Sequence, residues 1–473
     1  MISVPASAPV PPPERIEVNN LYVWAISSVG ALGGLLFGYD WVVIGGAKPF
    51  YERFFHLYQP SMQGWAMSCA LIGCLIGAVA SGMFSDLYGR KRLLTAAALV
   101  FAASSVGTAL AAHFSSFVLW RILGGFAIGL ASSISPMYIA EVAPAEQRGR
   151  LVSLNQLTIV IGILSAQLVN WRIARPVPLG ATSNEILNSW NGQMGWRWMF
   201  GITAIPAVIF LLATFLVPES PRWLTQKGKH ASARRILIRV GGEAYANQVE
   251  LAISADALQE HDRIGLMDFT SPKLRRILAL GLVLVVLQQW CGINIVFNYA
   301  EEVFSAAGYQ VSDILFNIVV TGTVNLVFTL VALATVDRFG RRILMLGGSA
   351  SLAALYTALG VFYRMHSHGI HMLLLILAAI ACYAVSLAPV TWVLISEIFP
   401  NQLRGVAMSL VVTVLWIASF VLTYTFPLFN RSLGAAGTFW IYAVICVVGF
   451  IYLYINLRET RRQSLEEIQN TWN

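Results

Sequence analysis

Twelve long apolar stretches follow one another along the chain, at approximately 22–46, 65–86, 93–112, 117–140, 152–171, 198–217, 277–299, 314–336, 343–363, 372–396, 406–428 and 437–457. A helix needs roughly 20 mainly apolar residues to cross a hydrocarbon core, so each stretch predicts one membrane-spanning helix. The polar intervals are short except for 218–276, between the sixth stretch and the seventh. Within it, charged runs at 227–239 and 243–260 predict short amphipathic helices that lie under the membrane face as an inner latch. The first twenty residues are Pro-rich and polar, with no apolar leader before the first span. The predicted organisation is all-α and integral to a membrane. A tail at 1–20 leads into a six-helix half at 21–217 and a linker at 218–276. A second six-helix half at 277–457 and a tail at 458–473 complete it.

Composition agrees: 57% of residues are hydrophobic and 11% charged, where soluble domains carry about a quarter charged. The basic residues then fix an orientation. Only Lys48, Arg53, Arg172, Arg175, Arg197, Arg364 and Arg431 fall on the side away from the termini, and Arg121 lies within a helix. The rest of the 31 Lys and Arg gather on the side shared by the termini and the linker. The positive-inside bias makes that side cytoplasmic. It also accounts for the net charge of +8, so no nucleic-acid partner is implied. The five cysteines all lie inside apolar stretches, with neither a disulfide framework nor metal-ligand spacing. His366, His368 and His371 cluster in a loop and read as a solvated patch. No phosphate loop, nucleophile elbow or metal cluster points to an enzyme, and no cofactor is expected.

Two loop patterns occur twice. Asp86-Leu-Tyr-Gly89-Arg90-Lys91 is echoed by Asp337-Arg-Phe-Gly340-Arg341-Arg342, and Glu141-Val-Ala-Pro144 up to Arg148-Gly149 by Glu397-Ile-Phe-Pro400 up to Arg404-Gly405. Each lies on the same loop of its own half, so the halves share one topology. Such parallel repeats place a substrate site near the bilayer midplane, between the halves. Carboxylates and guanidiniums at these helix ends can pair across the halves and gate the cytoplasmic side. Asp86, Arg90, Glu141, Arg148, Asp337, Arg341, Glu397 and Arg404 are the candidates, with Glu219 and Arg222 of Pro218-Glu-Ser-Pro-Arg-Trp-Leu224. Tyr299, at the far end of helix seven, is the candidate outer gate. Pro389 and Pro427 are candidate breaks in helices ten and eleven.

These motifs resemble those of the major facilitator superfamily. The Pro218–Leu224 run and Arg458-Glu459-Thr460-Arg461 resemble its sugar-porter branch, in particular bacterial D-xylose/proton symporters and, more distantly, facilitative glucose transporters.

Asp40 and Arg121 are ionisable residues inside spans, a functional-site hypothesis by default. Apolar surroundings raise a carboxyl pKa and a nearby Arg lowers it. A pair that forms in one state and parts in another therefore exchanges a proton. The resemblance implies the same role: proton symporters of the family carry Asp at the helix-one position, and uniporters typically Asn. A permanent ion pair is the structural alternative.

A sugar offers hydroxyls that donate and accept, which amides match, and an apolar ring face suited to aromatics. Asn294 and Asn298 are spaced to share one helix face. By resemblance Gln156, Gln288, Gln289, Asn294, Asn325 and Trp392 match sugar-contacting positions, and Phe37 and Trp416 nearby aromatic ones. Xylose symporters usually carry Gln, Tyr and Gln where this chain has Ile163, Asn298 and Leu415, and Leu where it has Phe297. Ile163 and Phe297 look like the hexose transporters, which favours a hexose such as D-glucose, with D-xylose next. The expected function is import of a monosaccharide with a proton, by a monomer in the lipid of the cytoplasmic membrane. Alternatives are a sugar uniporter, a polyol or cyclitol symporter, and a sugar sensor that does not transport.

Overall fold

The computed structural model describes residues 18–178, 180–259, 272–399 and 404–459. The first half comprises α1 (Asn20–Phe54), α2 (Pro60–Tyr88), α3 (Arg90–Ala109), α4 (Phe114–Val142), α5 (Arg148–Ile173), a short α6 (Ser183–Asn188), α7 (Trp196–Gly201) and α8 (Ala204–Leu216). A π-helical turn, Asn191–Gly195, leads into α7. Between the halves stand α9 (Pro221–Gln226) and α10 (His230–Gln259). The second half holds α11 (Pro272–Trp290), α12 (Ile293–Asn298), α13 (Ala300–Ala306), α14 (Val311–Phe339), α15 (Arg341–Arg364), α16 (Ile370–Val385), α17 (Leu387–Ile398) and α18 (Arg404–Asn456).

Among the described residues, eleven segments are long and apolar enough to cross a membrane. The last, Ala407–Asn456, has 50 residues and is broken by left-handed Gly434 at φ 69°. At 1.5 Å per residue it is long enough for two crossings, which gives the twelve spans that the hydropathy pattern predicts. Most of the tails and residues 260–271 of the linker lie outside the described residues. The described part of the linker carries α9 and the 30-residue α10, which is broken at Gly242 (φ 78°). It is docked on the first half. Val240 packs with Val23, Ile139 and Leu151, and its carbonyl accepts from Asn19 N–H at 2.8 Å.

Three predicted spans change in detail. Helix one runs to Phe54 rather than ending near 46, so Lys48 and Arg53 belong to its last turns and not to a loop. Helix seven is split at Gly292, which takes the left-handed conformation (φ 88°), and again at Tyr299. Helix ten is split at Ser386. There Pro389 lacks the N–H that would bond the Val385 carbonyl, and its ring crowds that carbonyl.

Small residues set how closely the helices pack. A Cβ on Gly38 would run into the Ile159 carbonyl oxygen, and one on Gly125 into that of Ala70, so α1–α5 and α2–α4 touch backbone to backbone. Between the halves, Gly64 of α2 abuts Tyr424 of α18, Gly45 of α1 abuts the Phe297 carbonyl, and Gly322 of α14 abuts Gln167 of α5. The core is therefore two helix groups meeting along α1, α2 and α5 on one side and α12, α14 and α18 on the other.

Candidate transport site between the halves

Both intramembrane charges face one cavity. The Arg121 Nη1 donates to Asp40 Oδ1 at 2.6 Å, and both residues are buried. The Arg121 guanidinium also lies over the Phe200 ring, 5.4 Å from its centroid, while its Nε has no partner. The cavity is lined by Asp40, Trp41, Ile44, Met67 and Arg121 of the first half and by Asn298 and Thr423 of the second. A charge pair within so apolar a lining is held in one geometry, because leaving either partner alone is expensive.

Helix seven supplies the polar wall. The break at Gly292 lets α12 follow its own direction, which brings Asn294 back toward α11. Asn294 Nδ2 donates to Gln289 Oε1 at 2.7 Å, and Gln289 Nε2 to Gln288 Oε1 at 3.4 Å. Gln288 Nε2 donates to the Ala388 carbonyl at 3.2 Å, just before Pro389 in α17. Part of the amide chain is therefore spent on joining helices. Other groups keep unused capacity: Asn298 Oδ1 and Trp416 Nε1 are buried without a hydrogen-bond partner. Buried polar atoms are normally satisfied, so these two are open to a ligand or water. Asn325 is buried on α14, Gln156 and Trp392 are half-buried on α5 and α17, and Ile163 and Phe297 are buried on α5 and α12.

Aromatic side chains meet across the halves. The Phe37 and Trp416 rings lie 5.8 Å apart, and Trp41 completes the group at 5.8 Å from Phe37 and 6.2 Å from Trp416. Trp41 was absent from the sequence-predicted pocket, although it lies four residues from Phe37 and so on the same helix face.

On the face where α1 begins and α18 ends, the repeated motifs build the same structure twice. Gly89 and Gly340 have φ of 91° and 89° and make the turns into α3 and α15. Glu219 Oε1 accepts from the backbone N–H of Arg90 and of Lys91, at 2.9 and 3.0 Å. Glu459 does the same for Arg341 and Arg342, at 2.9 and 3.0 Å. Arg90 then pairs with Glu141 at 2.9 Å and Asp86 at 3.3 Å, and Arg341 with Glu397 at 3.1 Å. The expectation of pairing across the halves thus differs from the geometry, since these pairs each stay within one half. The reason is proximity, because helix two's turn faces the end of helix four of its own bundle. Arg148 is exposed, Arg222 half-buried, and the side chains of Asp337 and Arg404 lie outside the described residues.

Among the described residues, charged contacts that join the halves stand on the opposite face, and sequence reasoning missed them. Lys48, near the end of α1, pairs with Glu302 of α13, with Glu52 at 3.1 Å and with Glu301 at 3.7 Å. Arg53 reaches Glu301 at 3.4 Å. Tyr299 sits beside this group, with Lys48 Nζ 5.6 Å from its ring centroid. Its hydroxyl donates to the Thr423 carbonyl at 2.6 Å. The i, i+4 spacing of Lys48 and Glu52, and two glutamates two and three residues after the candidate gate Tyr299, were the available signals.

Residues 26–472 match the family model described as sugar (and other) transporter. The arabinose-proton symporter of Bacillus subtilis (strain 168) is 38% identical over 452 residues, covering 95% of this chain and 95% of its own length. The D-xylose-proton symporter of Escherichia coli (strain K12) is 37% identical, covering 96% of this chain and 97% of its own. The inward-open conformation of the xylose transporter XylE from E. coli matches with a TM-score of 0.82 at 36% identity, covering 96% of this chain and 100% of that one.

Proposed function

The chain belongs to the sugar transporter family and has the twelve-helix, two-half major facilitator fold, and on that premise we propose that it imports a monosaccharide together with a proton. A hexose such as D-glucose is the favoured cargo. The proton is the coupling ion, no other cofactor takes part, and a monomer in the cytoplasmic membrane suffices, with both termini and the linker cytoplasmic.

The observation that carries this reading is the buried Asp40–Arg121 pair, which opens onto a cavity walled by both halves. In the cycle, Asp40 is protonated and separated from Arg121 when the outer side is open, and sugar binds among the helix-seven amides. The halves then rock, the inner side opens, and Arg121 returns to Asp40 and displaces the proton. The pair is intact here in a conformation whose outer ends are joined through Lys48, which fits the late, inward-facing part of that cycle. The apolar side chains of Ile163 and Phe297, where amide and smaller apolar groups occur in xylose symporters, favour a pyranose that carries a hydroxymethyl group.

The test is uptake of labelled D-glucose and D-xylose in proteoliposomes, by counterflow and under an imposed pH jump, for wild type and Asp40→Asn. Uphill glucose uptake driven by an inward proton gradient, lost in Asp40→Asn while counterflow persists, is the expected result. Counterflow with no proton-driven accumulation in the wild type would make the protein a uniporter. Absence of counterflow with either sugar would remove the cargo assignment.

A further inference from the structure

The Lys48 group carries more negative than positive charge. Glu52, Glu301 and Glu302 face two cations, Lys48 and Arg53. Lys48 is 2% exposed and Glu52 8%. Glu52 Oε1 and Glu302 Oε2 are both buried without a hydrogen-bond partner. An ionised carboxylate that leaves an oxygen dry and unpaired is costly. A proton on that carboxyl removes both the surplus charge and the penalty. Among the described residues packed around the group, none named here supplies the missing charge. From α1, the Tyr51 hydroxyl lies 2.9 Å from Met67 Sδ. The Tyr299 hydroxyl donates to the Thr423 carbonyl. Arg197 of α7 is turned to the Phe54 ring and to the carbonyls of Ala109 and Ala111. Around α13, Tyr363 donates to the Val303 carbonyl, His368 stands beside Gly308, and Asp313 of α14 and Glu185 of α6 are exposed.

We propose that Glu52 and Glu302, brought together around Lys48 when α1 meets α13, form a second proton-binding site, separate from Asp40, that holds one proton while this face is closed. Glu52 belongs to the first half and Glu302 to the second, so the site exists only when the halves touch here. Opening rehydrates both carboxyls, and the proton returns to the solvent from which it came. The site gates this face and does not itself drive uptake. The sign at this site follows: its carboxyls bind one proton more in the closed state than in the open state, so through them lowering the pH on this side favours closure, opposite to the effect of Asp40, which is protonated when this side is open. One proton shifts the closed-to-open ratio by at most about tenfold per pH unit, between the carboxyl pKa values of the two states. The inference uses the reading of the protein as an alternating-access transporter but not the identity of the sugar or the role of Asp40.

The experiment places spin labels at Gln59 and Gln310, exposed positions at the starts of α2 and α14 on this face. Their distance distribution is recorded in lipid nanodiscs from pH 5 to pH 8.5 in an Asp40→Asn background, which removes the opposite proton exchange of that residue, without sugar or gradient, so failure of coupled glucose uptake would leave it interpretable. In this parent the closed-to-open ratio should fall as pH rises, by several-fold per unit. Adding Glu52→Gln or Glu302→Gln, each a neutral stand-in for the protonated acid, should flatten the curve and keep the face closed at high pH; either variant alone suffices if the other fails to fold. A parent ratio that does not fall with rising pH, or variants as steep as the parent, would overturn the proposal.

Discussion

Asp40→Asn and Arg121→Met, singly and together, put a number on the buried pair. The Nη1–Oδ1 distance is 2.6 Å, and the two residues are only 6% and 4% exposed. Two unit charges at 4 Å attract by about 4 kcal/mol at an effective dielectric near 20. Removing one partner of such a pair costs roughly 3–5 kcal/mol, because the other is left charged and uncompensated. Arg121→Met should fall in that range. Asp40→Asn should fall at its lower end, since the amide oxygen still accepts from Arg121. The double variant strands no charge, and Met fills apolar space beside Phe200, so most of the loss should return. The coupling energy, the summed single losses less that of the double variant, is then about 4–6 kcal/mol, read from unfolding curves of the four proteins in mixed detergent micelles. If the double variant shows the sum of the two single effects to within about 0.5 kcal/mol, the residues do not act as a unit. The proton-exchange role assigned to them would then lose its physical basis.

Glu219→Gln and Glu459→Gln should each lower stability by about 1.5–3 kcal/mol, because each carboxylate caps two backbone N–H groups at a helix start. The same unfolding assay checks this, and clearly unequal losses would deny that the two halves use the motif alike. Gly38→Ala should abolish the folded protein, since its Cβ meets the Ile159 carbonyl, whereas Gly347→Ala, with nothing within 4 Å, should be tolerated. Yield and monodispersity after purification decide. Gly292→Ala faces both φ 88° and the Tyr442 ring at 2.7 Å, so α12 should reorient and the half-saturation for sugar counterflow should rise. Trp416→Phe removes the unpartnered indole N–H and should weaken sugar binding by up to about tenfold, the worth of one neutral hydrogen bond. Unchanged counterflow would place the ligand elsewhere.

Much of the fold was legible because lipid imposes it. A chain that must satisfy every backbone group within the bilayer forms helices of fixed minimum length, and these show as apolar runs. The duplicated Asp-x-x-Gly-Arg turns were legible for a similar local reason, since each glycine adopts a positive φ at a tight turn. The breaks in helices seven and ten were half-legible: Gly292 and Pro389 permit them, but whether a helix breaks depends on what packs beside it. The end of helix one was misread because Lys48 and Arg53 look like loop charges. Within the helix these two cations are compensated by Glu301 and Glu302 across the molecule.

The sequence by itself therefore determined the number of spans, the duplication, the intramembrane charges and the amide-rich seventh helix, all features set by composition and local spacing. Tertiary structure decided which charges meet. It joined Asp40 to Arg121 and Lys48 to Glu302, kept Arg90 and Arg341 with carboxylates of their own halves, and gathered Phe37, Trp41 and Trp416 from both halves. A hydrogen-bonded ion pair needs its atoms within about 3 Å. A pairing between residues 81 or 254 positions apart is therefore fixed only once helix packing brings them within reach.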